Sequence, residues 1–227
     1  MHYCAGQKNL LPAASIAMTA PELMEAADED GFTPLHLAVI QGNVAVVNLL
    51  LANKADVNAL DNEGHSVVHW ATGNVICCDI SLMMPINSFP FCFFCISIFI
   101  IIFMLPVCGE VEALRSILSS GANVSTPDVN GGSPLHYAAQ MCGANYEGKS
   151  DKASVKLAVD ILNILLKHPH SSVDVEDKDG RQPLLWAASA GSAKALLALI
   201  KAGAYVEASD KYVIKNCKCF QVSLLFN

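Results

Sequence analysis

The same short sequence pattern returns four times along the chain, with a basic period of 33 residues that two interruptions lengthen. Each copy begins with an acidic turn and a glycine, as at Gly31 and Gly64, which are 33 positions apart. A short apolar helix pattern follows, then a break, then a second run of apolar residues at helical spacing. One pair of short helices cannot bury such a stripe alone, so copies must stack and cover one another. The period therefore predicts a row of stacked helix pairs.

The start of each first helix is marked by residues that suit a helix N-terminus. A side-chain hydroxyl that can cap a helix precedes it at Thr33, Ser66 and Ser133. Proline follows directly at Pro34 and Pro134, at the first helical position, where the missing N–H costs nothing. These residues predict helix starts.

Residues 28–64, DEDGFTPLHLAVIQGNVAVVNLLLANKADVNALDNEG, resemble the ankyrin repeat in its turn, TPLH helix, glycine break, second helix and finger. The resemblance recurs at 61–72 with 107–128, at 128–140 with 159–180, and at 179–210. It implies an all-α fold, an ankyrin-repeat solenoid of helix-turn-helix repeats with β-turn or hairpin fingers, interrupted by a hydrophobic insert. It also implies that His36, His69 and His136 are structural residues that tie neighbouring turns together.

These patterns give a domain plan. Residues 1–20 are expected to be a flexible leader, because the apolar run from Leu10 to Met18 is short and broken by Pro12. Residues 21–211 hold about four ankyrin repeats, and residues 212–227 form a non-repeat tail. The repeats are assigned to 30–62, 63–129 with an insert at 73–106, 130–178 with a loop at 140–156, and 179–211.

The insert at 73–106 is mostly apolar: 24 of its 34 residues are hydrophobic, and Asp79 is its one charged residue. Removing it restores the repeat period. Three explanations stay open. The block is a membrane span near 82–105, a true insertion, or translated non-coding sequence such as a retained intron, an explanation that also suits residues 212–227. A span would place the two helices of the second repeat on opposite sides of the bilayer.

Charge and cysteine usage limit the partners and the compartment. The chain has 14 Lys and Arg against 21 Asp and Glu, a net charge of −7, so a nucleic acid would be bound against the mean field. Cysteines outside the apolar stretches are isolated and suit a reducing compartment. We expect a cytoplasmic protein that binds another protein and no nucleic acid. A membrane location is the alternative, through residues 80–107 only.

The sequence contains no pattern typical of a catalytic site: it lacks a phosphate-binding glycine loop, an HExxH motif and a nucleophile elbow. The acidic pairs Glu29–Asp30 and Asp177–Asp179 lie in turns, where they are expected to be turn formers. We expect no enzyme activity, no cofactor and no metal site. The aromatic residues that share the position after the motif histidine are expected to pack in the core: Trp70, Tyr137 and Trp186.

The resemblance implies a non-catalytic scaffold that binds a partner protein through its turn tips and the exposed side of its first helices. By register alone, the candidate tip residues are Phe32, Glu63, His65, Gly132, Lys178 and Arg181, and the candidate first-helix residues are Ile40, Gln41, Met141, Ser189 and Ala190. Two alternatives stay open. The chain is a membrane-anchored ankyrin-repeat protein with one hydrophobic span near 82–105, or it is the ankyrin portion of a larger protein such as a channel or acyltransferase.

Overall fold

The computed structural model describes residues 1–5, 10–72, 111–143 and 152–206. Within these ranges the regular structure is helical, apart from an isolated antiparallel bridge between Leu60 and Ser66. The helices are α1 (His2–Ala5), α2 (Leu10–Thr19), a 3-10 helix (Pro21–Met24), α3 (Pro34–Ile40), α4 (Val44–Ala52), α5 (Val67–Ala71), α6 (Val111–Ser119), α7 (Pro134–Met141), α8 (Lys152–Lys167), α9 (Pro183–Ser189) and α10 (Ala193–Lys201).

The helices form two parallel rows. One row contains α1, α3, α5, α7 and α9, and each of these helices contacts the next. The other row contains α2, α4, α6, α8 and α10, again in contact one after another. This arrangement confirms the predicted all-α ankyrin-repeat solenoid. The predicted insert at 73–106, the span near 82–105 and the tail at 212–227 lie outside the described residues, as do residues 144–151 of the loop at 140–156.

The first helices of three repeats begin with the same reciprocal cap. The Thr33 N–H donates to His36 Nδ1 at 3.2 Å, and the Thr33 side chain also accepts from the backbone of His36. Ser66 with His69, and Ser133 with His136, repeat this arrangement. It is a capping box in which histidine takes the place of the usual glutamate. The predicted helix starts at Thr33, Ser66 and Ser133 are thereby confirmed.

The core lies between the two rows. In the first row, alanines with almost no exposure let successive helices approach closely: Ala38, Ala71, Ala138 and Ala187. In the second row, buried branched side chains fill the space between neighbours: Val46, Val47, Leu50, Leu114, Ile117, Leu162, Leu165, Leu196 and Leu199. Each stripe is covered by the next repeat, as the period predicts.

The described residues of the predicted flexible leader, 1–5 and 10–20, are packed on the stack: α1 contacts α3, and α2 contacts α4. His2 Nε2 lies 2.8 Å from the Phe32 carbonyl oxygen. The Asn43 side chain donates to the Ala5 carbonyl at 3.3 Å. The physical reason lies in the period: His2 precedes His36 by 34 residues, so α1 and α2 stand where a preceding repeat would place its two helices.

Candidate partner-binding surface

Four turn loops, 28–32, 61–65, 128–132 and 177–181, lie at the tips of the stack. Each begins with an aspartate whose Oδ1 accepts the backbone N–H groups two and four residues later, at 2.7–3.1 Å. The four aspartates are Asp28, Asp61, Asp128 and Asp177. These bonds give every loop the same shape, which agrees with the predicted turn-forming role of Asp177.

The turn loops are joined to one another through their backbones. The Asn62 N–H donates to the Asp30 carbonyl at 3.1 Å, the Val129 N–H to the Glu63 carbonyl at 2.9 Å, and the Lys178 N–H to the Asn130 carbonyl at 2.9 Å. We call the four loops with these links the turn row. Because the links use the backbone, the position of each tip is fixed whatever its side chain is.

Gly131 lies where two neighbouring loops of the turn row approach most closely. Its φ is +81°, and a Cβ at this position would lie 2.7 Å from the Lys178 nitrogen, which donates the link. We expect Gly131→Ala to lower the free energy of unfolding by about 2 kcal/mol, from backbone strain together with displacement of the neighbouring loop. Urea unfolding followed by tryptophan fluorescence measures this loss.

Gly121 provides the matched control, since its φ is +89° and nothing lies within 4 Å of its would-be Cβ. Gly121→Ala therefore carries the strain without the clash, and we expect it to cost about 1 kcal/mol. Equal losses in the two variants would contradict a close backbone contact at Gly131.

The aromatic residues of the first helices bind the turn aspartates. Trp70 Nε1 donates to Asp61 Oδ2 at 3.0 Å, and Trp186 Nε1 donates to Asp177 Oδ2 at 3.0 Å. The Tyr137 hydroxyl donates in the same way to Asp128. Core packing is confirmed for Trp70 and Tyr137, which are buried, whereas Trp186 is half-buried. The carboxylate partner, nine residues before each ring, was missed, although this spacing recurs in three copies of the sequence.

The motif histidines tie one repeat to the next. His69 Nε2 lies 3.2 Å from the Gly132 carbonyl oxygen, and His136 Nε2 lies 2.9 Å from that of Arg181. Because Nδ1 accepts the backbone N–H of the cap residue, Nε2 is assigned the proton and donates it to the carbonyl. The structural role implied for His69 and His136 is thereby confirmed. Burial lowers the pKa of His69 to about 4, and it also lowers the pKa of His36 and of His136.

His65 is only 2% exposed and lies between carboxylates of two turn loops. Its Nδ1 is 3.3 Å from Asp61 Oδ2, and its Nε2 is 3.4 Å from Asp128 Oδ2. Burial acts to lower the pKa of His65, but the carboxylates of Asp128 and Asp61 outweigh it and raise this pKa to about 9. Burial acts to raise the pKa of Asp128, whereas His65, Tyr137 and turn N–H groups bring it down to about 2. The cluster is therefore a buried ionic bridge between two repeats.

The structure divides the candidate surface residues into three groups. Glu63, Lys178 and Ser189 are exposed, and Phe32, Ile40, Gln41 and Arg181 are half-buried. His65, Gly132, Met141 and Ala190 are buried. His65 belongs to the ionic bridge, so its side chain does not extend from the tip as the register suggested. Sequence register cannot separate these groups, because inward and outward side chains occupy equivalent positions in different repeats.

Close packing explains why Ala190 and Gly132 are buried. A Cβ on Gly143 would lie 2.4 Å from the Ala190 carbonyl oxygen, so the ends of α7 and α9 are in direct contact. Gly132 lies beneath Asp128 and Tyr137, with 3.1 Å between its would-be Cβ and each side chain. Ala190 and Gly132 therefore contribute to packing between neighbouring elements.

Exposed tip residues that the sequence reasoning missed lie one or two positions before the turn glycines. Asn62, Val129 and Asn130 are exposed, and Val129 is 48% exposed despite its apolar side chain. The two positions before the glycine in each copy of the pattern were the sequence feature that could have identified them.

The hydroxyl groups that stand beside a histidine at the helix starts, and the thiol of Cys142, are buried and engaged. Each hydroxyl–imidazole pair at a helix start is a cap with its imidazole bonded to backbone, as for Ser66 with His69. Burial raises the pKa of Cys142 to about 12, and its thiol donates to the Ala138 carbonyl at 3.3 Å. A nucleophile must be accessible to substrate and must be activated by a lowered pKa or by a free base beside it. These groups meet neither requirement.

Among the described residues, no group of three or more His, Cys, Asp or Glu residues is arranged to hold a metal ion. No helix in the same ranges combines the length and the apolar character that crossing a membrane requires.

Comparisons with known proteins agree with this geometry. A family model described as "Ankyrin repeat" matches residues 30–62, and one described as "Ankyrin repeats (3 copies)" matches residues 108–210. The chain is 28% identical over 200 residues to the probable 26S proteasome regulatory subunit p28 of Saccharomyces cerevisiae, covering 87% of this chain and 65% of that protein.

Two further relatives are much longer than the matched part. The chain is 29% identical over 186 residues to the nuclear factor NF-kappa-B p105 subunit of Gallus gallus, covering 76% of this chain and 16% of that protein. It is 29% identical over 104 residues to the transient receptor potential cation channel subfamily A member 1 of Homo sapiens, covering 46% of this chain and 8% of that protein. The chain thus spans less than two thirds of each of these relatives.

Proposed function

Because the chain belongs to the ankyrin-repeat family, we propose that it is a non-catalytic scaffold that holds a partner protein on its turn row and on the exposed side of its first helices. The partner is another protein, of unknown identity, and the working location is the cytoplasm.

The observation that carries this proposal is the turn row itself. Each of its loops is shaped by an aspartate whose Oδ1 accepts two turn N–H groups. Backbone hydrogen bonds of 2.9–3.1 Å join the loops from one repeat to the next. A surface held in this way is preorganised, so a partner meets little ordering cost on binding. Rigid stacks with an extended face are suited to protein recognition.

The residues proposed to contact the partner are those of the candidate set that are exposed or half-buried. On the tips these are Phe32, Glu63, Lys178 and Arg181, and on the first helices they are Ile40, Gln41 and Ser189. Arg181 forms an ion pair with Asp179 at the same tip. The buried candidates His65, Gly132, Met141 and Ala190 are proposed to support this surface from below.

The acidic tips support a protein partner over a nucleic acid. Glu29 and Asp30 are exposed in the first turn loop, and Glu63 is exposed in the second. A phosphate backbone approaching these loops would meet like charge with no gain from counterion release.

Proximity labelling in cells of the source organism tests the proposal, with the full chain fused to a biotin ligase. Ser189 lies on the proposed surface, and its hydroxyl donates to the Trp186 carbonyl. We expect Ser189→Arg to reduce the labelling of at least one enriched protein about tenfold, since a large charged side chain in an interface core removes complementarity.

Ser119 on α6 gives the matched control. It is also exposed, and its hydroxyl donates to the carbonyl three residues earlier, that of Ser116 at 2.9 Å. Ser119→Arg introduces the same side chain on the second-helix row, and we expect labelling to persist. If Ser119→Arg removes the partner and Ser189→Arg does not, the proposed surface is on the wrong side of the stack.

A second candidate function is the ankyrin portion of a larger protein, such as a channel or acyltransferase. It is supported by the small share of two relatives that the chain covers, 16% and 8%. The membrane-anchored alternative depends on residues 82–105, which lie outside the described residues. Carbonate extraction of membranes from cells expressing the full chain distinguishes an integral protein from one that is washed off.

A further inference from the structure

The third loop of the turn row contains the sequence Asn130-Gly131, the one place in the chain where an asparagine directly precedes a glycine. In such a pair the backbone nitrogen of glycine attacks the side-chain amide of asparagine more readily than in other pairs, because glycine has no Cβ to hinder the approach. Asn130 lies at the tip of its loop and is exposed. The amide carbon is therefore accessible to both the attacking nitrogen and water.

Three other exposed asparagines of the turns and fingers are held by a hydrogen bond and are followed by a residue with a side chain. Asn62, on the neighbouring tip, precedes a glutamate, and its side-chain amide donates to the Glu29 carbonyl at 2.8 Å. The Oδ1 atoms of Asn58 and Asn123 accept backbone N–H groups, and alanine and valine follow these residues. Among the bonds of the described residues, none involves the side chain of Asn130.

We propose that Asn130 is a site of spontaneous deamidation that alters the turn row. The Gly131 nitrogen attacks Cγ of Asn130 and forms a C–N bond, and the side-chain NH2 group leaves as ammonia with the proton that this nitrogen gives up. Water then opens the cyclic imide. Cleavage of the new bond to Cγ gives aspartate, whereas cleavage of the original peptide bond gives isoaspartate, in which the main chain runs through Cγ. The reaction needs water and no enzyme or oxidant.

The hydrogen bonds of the loop control the rate of this attack. The Gly131 N–H donates to the Asp128 carbonyl at 3.0 Å, and Asp128 Oδ1 accepts the N–H of Asn130 at 2.7 Å. The Gly131 nitrogen has to give up its hydrogen bond before it turns towards Cγ. The rate therefore follows local opening of the third turn loop, which requires less free energy than unfolding of the whole chain.

Isoaspartate breaks the link between the third and fourth turn loops. In the unmodified chain the Lys178 N–H donates to the Asn130 carbonyl at 2.9 Å. In isoaspartate this carbonyl has become a carboxylate outside the main chain, and Cβ has been added to the main chain. A Cβ on Gly131 would already lie 2.7 Å from the Lys178 nitrogen, so the longer main chain does not fit without displacing the fourth loop. Aspartate keeps the main chain and adds a negative charge to the tip.

Peptide mapping of the full chain, kept folded in mildly alkaline buffer, follows the reaction, and tandem mass spectrometry locates each amide that has become an acid. Asn62 is the matched control, since it is an exposed asparagine on the neighbouring tip. We expect Asn130 to deamidate at least about tenfold faster than Asn62, because only Asn130 precedes a residue without a Cβ. Isoaspartate, the expected main product, is counted with an isoaspartyl methyltransferase.

Two variants connect the reaction to the loop and to the link. Asp128→Asn weakens the hold on the loop, so we expect deamidation of Asn130 to be about tenfold faster in this variant. Asn130→Gln keeps an exposed amide but abolishes the reaction, because glutamine would have to form a larger ring that closes slowly. The isoaspartate formed from Asp30 and Asp179, which also precede glycines, persists in this variant and is subtracted. The urea midpoint of the unaltered chain is expected to fall during incubation, and that of Asn130→Gln to stay constant.

Three results would each overturn the proposal. One is an amide at Asn130 that survives as long as the amide of Asn62. Another is a rate at Asn130 that Asp128→Asn leaves unchanged, because the loop would then not control the attack. The third is a urea midpoint that falls equally in the unaltered chain and in Asn130→Gln, since the loss of stability would then arise elsewhere in the chain. Tryptophan fluorescence checks that each variant is folded before incubation begins.

Discussion

Asp128→Ala is expected to lower the free energy of unfolding by about 4 kcal/mol, because it removes one carboxylate of a buried charged pair. The Asp128 side chain accepts from the backbone N–H groups of Asn130 and Gly132 and from the Tyr137 hydroxyl, and it faces His65 at 3.4 Å. Alanine leaves these donors unsatisfied in a buried site. Urea unfolding at pH 7, followed by tryptophan fluorescence, measures the loss.

Asp28→Ala separates the contribution of the turn hydrogen bonds to stability from that of the ionic bridge. Asp28 also accepts two turn N–H groups, at 3.1 and 2.8 Å, but it is exposed, and Leu37 stands nine residues later, where other repeats have an aromatic donor. We expect this variant to lose only about 1 kcal/mol, the usual value of a capped turn or helix end.

Asp128→Asn tests the charge within the same cluster. The amide oxygen can still accept from the turn, while the charge that faces His65 is lost, so we expect a loss between those of the two alanine variants. Similar losses for Asp128→Ala and Asp28→Ala would contradict the view that the bridge between repeats, rather than turn shape, makes Asp128 important.

Sequence reasoning reached the solenoid because its evidence is local. A period of 33 residues, a hydroxyl before a proline and a histidine one turn later each act within a few residues, and each structural role has the same sequence form in several copies. The fold followed from repeated agreement among these short patterns.

The ionic bridge could not be predicted in this way, because it is a contact between repeats. His65 occupies the register position of Phe32 and Arg181, and nothing local distinguishes an inward imidazole from an outward one. Its burial depends on Asp128, 63 residues away in sequence. The N-terminal helix pair was missed for a related reason. Only one histidine of the motif, His2, is present there, and its role depends on a contact with the carbonyl of Phe32, 30 residues later.

The stability of the chain is expected to be greatest near pH 6.5 and to fall on both sides, with a different histidine responsible for each side. On the alkaline side the group is His65, whose pKa in the folded chain is about 9 against an ordinary value of 6.5. Between these pH values the folded chain retains a proton that the unfolded chain has released, so stability decreases as pH rises. The slope is about 1.4 kcal/mol per pH unit for one group, or about 3 kcal/mol in total.

On the acidic side the sign is reversed. Burial holds the pKa of His69 at about 4 in the folded chain, so below pH 6.5 the unfolded chain binds a proton that the folded chain excludes. Stability therefore decreases as pH falls towards 4, by about 3 kcal/mol from His69 alone. His36 and His136 act in the same direction, because burial lowers the pKa of each. A proton on Nδ1 would also oppose the cap N–H that donates to this atom.

Urea unfolding curves at half-unit pH steps measure the decrease in stability on each side of the maximum, called here the alkaline limb and the acidic limb. Two substitutions assign each limb to its histidine. His65→Gln is expected to flatten the alkaline limb, since the group that loses its proton there is gone, while the acidic limb persists. His69→Gln is expected to make the acidic limb shallower without abolishing it, since His36 and His136 still titrate. A decrease in stability between pH 6.5 and about 8 that survives His65→Gln would mean that His65 does not carry its charge between Asp61 and Asp128. The ionic bridge would then not be what holds the second and third turn loops together.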